Sequence, residues 1–230
     1  MIALKCAMSE RKKSSAPTAR DYVQDGIIAM WHGIENVGWG VHDATSTSWV
    51  DLINGFDRTI ITNGEWTDKS LRSTSGVMNA TQGQNSPNAS LFWDAFNTGE
   101  AVTFEMVATS LSDSRPSPWE TLFKGKITRY ADGLLYNGSG LFSFANGTRF
   151  GIGTIHSVMI ADSVGGRLII NGTQVATHST PFSTNAYPRR DFYANQCVGE
   201  IFCSRVYNRA LTDAEIAHNY AIDKAMFNIT

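Results

Sequence analysis

The residues in this chain best suited to contact another molecule are aromatics and arginines set in turn-rich surroundings. Trp39 and His42 lie in Gly38-Trp39-Gly40-Val41-His42-Asp43, a glycine-rich loop with little reason to be buried. Trp119 follows Arg115-Pro116-Ser117-Pro118, which places it at a loop tip. Residues 182–193 concentrate Phe182, Tyr187, Arg189, Arg190, Phe192 and Tyr193. Aromatics and Arg dominate interface hot spots, and an exposed ring flanked by Asn, Asp or Arg suits a sugar. Trp39, His42, Trp119, Tyr187, Arg189 and Arg190 are therefore the candidate ligand-binding set. The competing reading of residues 182–193 is a long loop that packs its own aromatics on the body of the fold.

Covalent chemistry has weaker support. Ser, His and Asp all occur, but no Gly-x-Ser-x-Gly elbow does, and three residue types scattered along a chain define no geometry. No His-Glu-x-x-His, Cys-x-x-Cys or EF-hand loop is present, so no metal motif is predicted. The three cysteines, Cys6, Cys197 and Cys203, make no disulfide framework. Cys197 and Cys203 read as parts of one strand, on one face but too far apart to bond. They are expected to be free thiols.

Charge separates the N-terminus from the rest. Residues 1–20 hold Lys5, Arg11, Lys12, Lys13 and Arg20 against Glu10, and the whole chain carries a net charge of -2. This Ser-rich, core-less stretch is either a solvated basic tail or a docking arm, with Arg11, Lys12, Lys13 and Arg20 meeting an acidic partner. The domain reading is thus an arm over 1–20 and one folded domain over 21–230. The overall charge gives no reason to expect a nucleic-acid partner. No apolar run reaches membrane-spanning length, so no membrane insertion is expected. The N-terminal charges follow a very short apolar patch, the wrong order for a secretory signal, which predicts folding in the cytoplasm. The six Asn-x-Ser/Thr triplets, at Asn79, Asn88, Asn137, Asn146, Asn171 and Asn228, then read as turns rather than glycan sites.

Local patterning supplies the elements that must position these groups. Among 230 residues only 17% are charged, while turn formers are abundant, which suits short strands and many turns. Asn-Gly recurs at Asn54, Asn63, Asn137, Asn146 and Asn171, and Asp-Gly at Asp25 and Asp132; these pairs supply the positive φ angles of tight hairpins. Strands are predicted over 27–31, 59–62, 101–109, 121–124, 157–161, 167–170 and 198–207. In 102–108 the even positions are apolar and the odd ones mixed, as for a strand with one face on a core. In 199–207, Ile201 and Cys203 are expected on one face and Phe202 and Val206 on the other. Thr212-Asp213-Ala214-Glu215 is a capping box that opens a short C-terminal helix. Strands throughout and one late helix predict an all-β fold, a two-sheet antiparallel sandwich.

Three segments in order resemble laminin-G-like, concanavalin A-like lectin/glucanase domains. Gly26–Trp31 followed by Trp49-Val50-Asp51-Leu52 is similar to their first strand and Trp-x-Asp-Leu turn. The run 156–172, ending at Asn171-Gly172, is similar to their paired strands, and 199–216 to their closing strand and helix. The resemblance spans about residues 22–226 and implies a jelly-roll topology with Trp31 and Trp49 in the core. The Gly38–Asp43 run further resembles copies encoded in phages and prophages of gut bacteria. It implies a capsid-decorating or fibre protein of a virion, joined to other virion proteins or to itself through residues 1–20 and displaying loops to a cell-surface glycan.

Some members of this superfamily cut glycosidic bonds, which needs two carboxylates flanking the bond. In the laminarinase-like branch these sit in Glu-x-Asp-x-x-Glu on one strand. The nearest segment here, Glu200-Ile201-Phe202-Cys203-Ser204-Arg205, has Phe202 and Arg205 in place of the second and third acids. The chain is therefore expected not to be an enzyme, with a stand-alone carbohydrate-binding domain and then a glycoside hydrolase as the alternatives. No cofactor is expected. The resemblance allows a loop-bound Ca2+ at Asp43, Asp51 or Asp94, against a turn-capping role for each.

Overall fold

A computed structural model describes residues 16–73, 78–82, 100–110, 127–129, 135–137, 153–179, 181, 192–197 and 199–229. Fourteen strands are described: β1 Ile27–His32, β2 Ser48–Trp49, β3 Arg58–Thr62, β4 Gly64–Trp66, β5 Leu71–Ser73, β6 Met78–Gln82, β7 Val102–Ser110, β8 Ile127–Arg129, β9 Leu135–Asn137, β10 Thr154–Ala161, β11 Gly166–Ile170, β12 Thr173–His178, β13 Phe192–Cys197 and β14 Gly199–Tyr207. One α-helix, α1, follows over Asp213–Phe227. The predicted strand over 121–124 lies outside the described residues.

All the pairings are antiparallel. An eight-stranded sheet runs β12-β11-β10-β7-β14-β5-β4, with β1 also on β14; a four-stranded sheet runs β13-β6-β3-β2; β8 and β9 form a hairpin. Strands β1 and β5 lie end to end along one edge of β14, pairing with 203–207 and with 200–201 respectively. The largest core cluster draws on both larger sheets. Trp49 and Ile60 from the smaller one meet Ile28, Trp31, Trp66, Leu71, Phe104, Met106, Met159 and Val206 from the larger. Trp31 and Trp49 are fully buried, as expected.

Local chemistry accounts for the turns and the helix. Asn171 (φ 48°) and Gly172 (φ 78°) both take the left-handed conformation between β11 and β12, the geometry for which Asn-Gly is favoured. Asn171 also accepts the His156 N–H through Oδ1 at 2.9 Å, fastening the turn to β10. At α1, the Thr212 hydroxyl accepts the Glu215 N–H while the Glu215 carboxylate accepts the Thr212 N–H. Burial of α1 rather than propensity then holds it down: Ile222, Met226 and Phe227 pack on Met30, Val107, Phe202 and Cys203.

That packing covers the second face of the large sheet and corrects two expectations. Strand β7 has both faces buried, because Thr103, Glu105 and Val107 lie on the α1 side while Val102, Phe104 and Met106 face the main core. In β14 a bulge between Ile201 and Cys203 shifts the register against β7. A bulge adds one residue and reverses the alternation beyond it. Ile201 and Val206 therefore share the main core, and Phe202 and Cys203 both join the α1 side. Cys197 and Cys203 belong to two strands, β13 and β14, not one. Cys203 is buried and free, its thiol pushed up to about 12 by burial.

The described end of the 1–20 segment is not core-less. Thr18 and Asp21 form a second capping box around a single 3-10 turn over Ala19–Asp21. Ala19 is fully buried, and its N–H is bound by the buried Glu35 carboxylate at 3.0 Å. Arg11, Lys12 and Lys13 lie outside the described residues.

Candidate binding groove

A polar groove of about 270 Å3 runs between the loop 44–47 and strand β4, the edge strand of the large sheet. Ala44, Thr45, Ser46 and Thr47 form one wall, and Ile60, Asn63, Gly64, Glu65 and Trp66 the other. The loop is fastened by hydrogen bonds. Asn36, fully buried, donates to the Asp43 carbonyl and accepts the Asp43 N–H, each at 2.8 Å. The Asp43 carboxylate in turn accepts from the Thr45 N–H and hydroxyl at 2.8 and 2.7 Å. These bonds hold the Asp43 carboxyl below its ordinary range.

Trp66 ties the two walls together. Its indole N–H donates to the Ser46 carbonyl at 2.9 Å, and its ring stands edge-on to Trp49 at 5.4 Å. The His42 ring stands edge-on to Trp66 at 6.4 Å on the exposed loop. His42 Nδ1 lies 3.1 Å from the Gly33 carbonyl, which in the neutral ring makes Nδ1 the donor and leaves Nε2 an acceptor. The groove thus offers hydroxyls, an amide, a carboxylate and an aromatic edge, a set matched to hydroxyl-rich ligands.

The predicted contact residues separate on this frame. His42 stands beside the groove through Trp66. Trp39 does not: contrary to expectation it is half-buried, packed in the α1-side cluster with the Arg20 guanidinium 4.4 Å over its ring. Glu35 explains the difference, binding the Gly40 N–H with one carboxylate oxygen and the Ala19 N–H with the other. It fastens the Trp39 loop to the segment that carries Arg20, which is itself exposed with its guanidinium over the Trp39 ring. Trp119, Tyr187, Arg189 and Arg190 lie outside the described residues, as does Asp94. Asp51 caps a turn, its carboxylate accepting the N–H groups of Met30, Ile53, Asn54 and Phe56 at 2.7–3.2 Å. Four bonds occupy about as many lone pairs as a carboxylate has.

A buried charge cluster under α1 was not expected. Arg205 on β14 donates to Glu105 on β7 at 2.7 Å and makes a two-pronged bond to Asp223 on α1 at 2.9 and 2.7 Å. The Tyr22 hydroxyl donates to Asp223 at 2.7 Å, Asn219 donates to Glu105 at 2.8 Å, and His156 lies 3.5 and 3.6 Å from Glu105 and Asp223. Glu105, Arg205, Asp223 and His156 are all fully buried. Burial alone would raise the Glu105 carboxyl, but Arg205 and His156 hold it at about 2. Two acids are close together here, yet they are sealed from solvent and bridged by a guanidinium. Glu200, the residue nearest the hydrolase pattern, is bound by Ser70 at 2.9 Å and Arg72 at 2.6 Å.

No family model matches the chain, and no curated protein does. Solved structures do. A mutant of Trypanosoma rangeli sialidase displaying trans-sialidase activity superposes with a TM-score of 0.66 at 13% identity, over 89% of this chain and 34% of that one. Botulinum neurotoxin type C, in work on its interaction with two ganglioside molecules, gives 0.54 at 11%, over 86% of this chain and 51% of that one. The binding domain of botulinum neurotoxin DC in complex with SialylT gives 0.54 at 12%, over 88% and 52%. The shared property is the fold. This chain spans about a third of the sialidase and half of the toxin chains.

Proposed function

We propose that this chain is a non-catalytic, lectin-like interaction module with a two-sheet jelly-roll sandwich of the laminin-G-like, concanavalin A-like kind. The observation that carries the reading is the polar, hydrogen-bonded groove between loop 44–47 and the β4 edge, walled by Trp66 and flanked by the exposed His42. Proteins of similar fold are described with gangliosides and with SialylT, which supports a glycan as ligand. A non-catalytic role is supported by the sealing of Glu105 and Asp223 around Arg205, since carboxylates that cut a sugar must reach it.

The biological setting we propose is a virion, with the chain as a capsid-decorating or fibre protein attached through residues 1–20. It rests on the resemblance of the Gly38–Asp43 run. A stand-alone carbohydrate-binding domain shares the same groove and differs only in lacking that attachment. The native mass of the full chain with its co-purifying proteins separates the two.

The function is tested on a glycan array with the full chain and with His42→Ala. A subset of glycans should bind the native chain, and the variant should bind them five- to tenfold more weakly, the loss of about one hydrogen bond. An array on which no glycan binds refutes the groove as the site, and unchanged binding by His42→Ala removes His42 from it.

A further inference from the structure

We infer that the groove selects neutral glycans and disfavours sialylated ones, in contrast to the ligands named for the structural neighbours. The inference rests on the glycan-binding reading above and adds the charge class of the ligand. Among the described residues the groove is lined by three hydroxyls, the Asn63 side chain, the Glu65 carboxylate and no Lys or Arg. A second carboxylate, Asp43, binds Thr45 on the opposite wall. One acid thus lines the groove and a second is bound to a lining residue.

The guanidinium that faces Glu65 across the strands is shared. Arg72 stands opposite Glu65 in the β4–β5 pairing, but it also stands opposite Glu200 on β14 and binds that carboxylate at 2.6 Å. One cation between two acids leaves a negative balance, with Glu65 on the outer, exposed strand. A sialic acid brought to this groove adds its own carboxylate to that balance and finds, among the described lining residues, no cation to fork onto. A neutral sugar lies along the 44–47 wall, where the Thr45 hydroxyl, donating to Asp43, keeps its acceptor lone pairs, and meets no repulsion.

The test is a panel of neutral oligosaccharides, each paired with its sialylated form, measured by calorimetry with the full chain at pH 7.5 and low salt. For pairs that bind, the neutral member should be at least fivefold tighter. The ratio should shrink at 0.5 M salt as screening shortens to a few ångström, and should shrink likewise in Glu65→Gln. Equal or tighter binding of the sialylated members by the native chain overturns the charge inference while leaving glycan binding intact. Failure of every pair to bind overturns the glycan reading itself and the inference with it.

Discussion

Acid should weaken this fold through His32 before it acts on most carboxylates. His32 is fully buried on β1, between the rings of Tyr22 (6.1 Å) and Phe227 (5.4 Å), and neither ring nitrogen has a hydrogen-bond partner among the described residues. Burial, then the nearby Arg205 charge, lowers its pKa from 6.5 to about 3. Between those values the unfolded chain binds a proton that the folded chain refuses, so stability rises with pH in this window. The contribution is complete above pH 6.5 and lost as pH falls toward 3. From pH 8 to pH 5 the linkage costs about 2 kcal/mol, at 1.36 kcal/mol for each unit below 6.5. Urea unfolding followed by tryptophan fluorescence at pH 8, 6 and 5 reads this directly. His32→Leu keeps a similar volume and removes the titrating ring, so its midpoint should hold where the native chain's declines. The groups facing His32 that could interfere are Arg205, which stays charged, and the Tyr22 phenol, raised further out of range. If native chain and variant lose the same stability between pH 8 and 5, the reasoning is wrong.

Two further outcomes follow from the buried cluster. Arg205→Met leaves Glu105 and Asp223 without their shared cation and should cost about 3–5 kcal/mol, while the triple change that also makes Glu105→Gln and Asp223→Asn should recover part of it in the same unfolding assay. Cys203, buried with its thiol pushed up to about 12, should resist alkylation in the native protein and react only after denaturant is added, as peptide mapping by mass spectrometry would show.

What was readable in the sequence is what short-range chemistry decides. Asn171-Gly172 and the Thr212–Glu215 box each specify their geometry within four residues, and both form as expected. The bulge at β14 was not readable, because it is fixed by pairing with β7 and β5 rather than by any residue of its own run. Nor was Trp39's half-burial: Arg20, whose guanidinium lies over its ring, sits in a stretch whose basic composition hid the Thr18–Asp21 cap. The charge cluster joins residues 100 and 18 positions apart. One signal for it did exist, since Glu105 is the one charge in β7 and Arg205 lies between Ser204 and Val206 inside β14, and two opposite charges set within strands are best placed facing one another.

The position of that cluster separates what holds the fold from what we propose it binds. Glu105, His156 and Arg205 sit on neighbouring central strands, and α1 reaches them with Asp223 on Arg205 and Asn219 on Glu105, so only one seating of the helix makes both sets of bonds. A shift of α1 by one turn along the sheet would leave Arg205 bonded to Glu105 alone and an unpaired carboxylate buried, a cost of several kcal/mol. An apolar helix face offers no such penalty against sliding. None of these residues lines the groove, which is built from loop 44–47 and the β4 edge. Changes at His42 or Glu65 should therefore alter ligand binding with the unfolding midpoint held, whereas changes at Arg205 should move the midpoint first and binding only as the folded fraction falls.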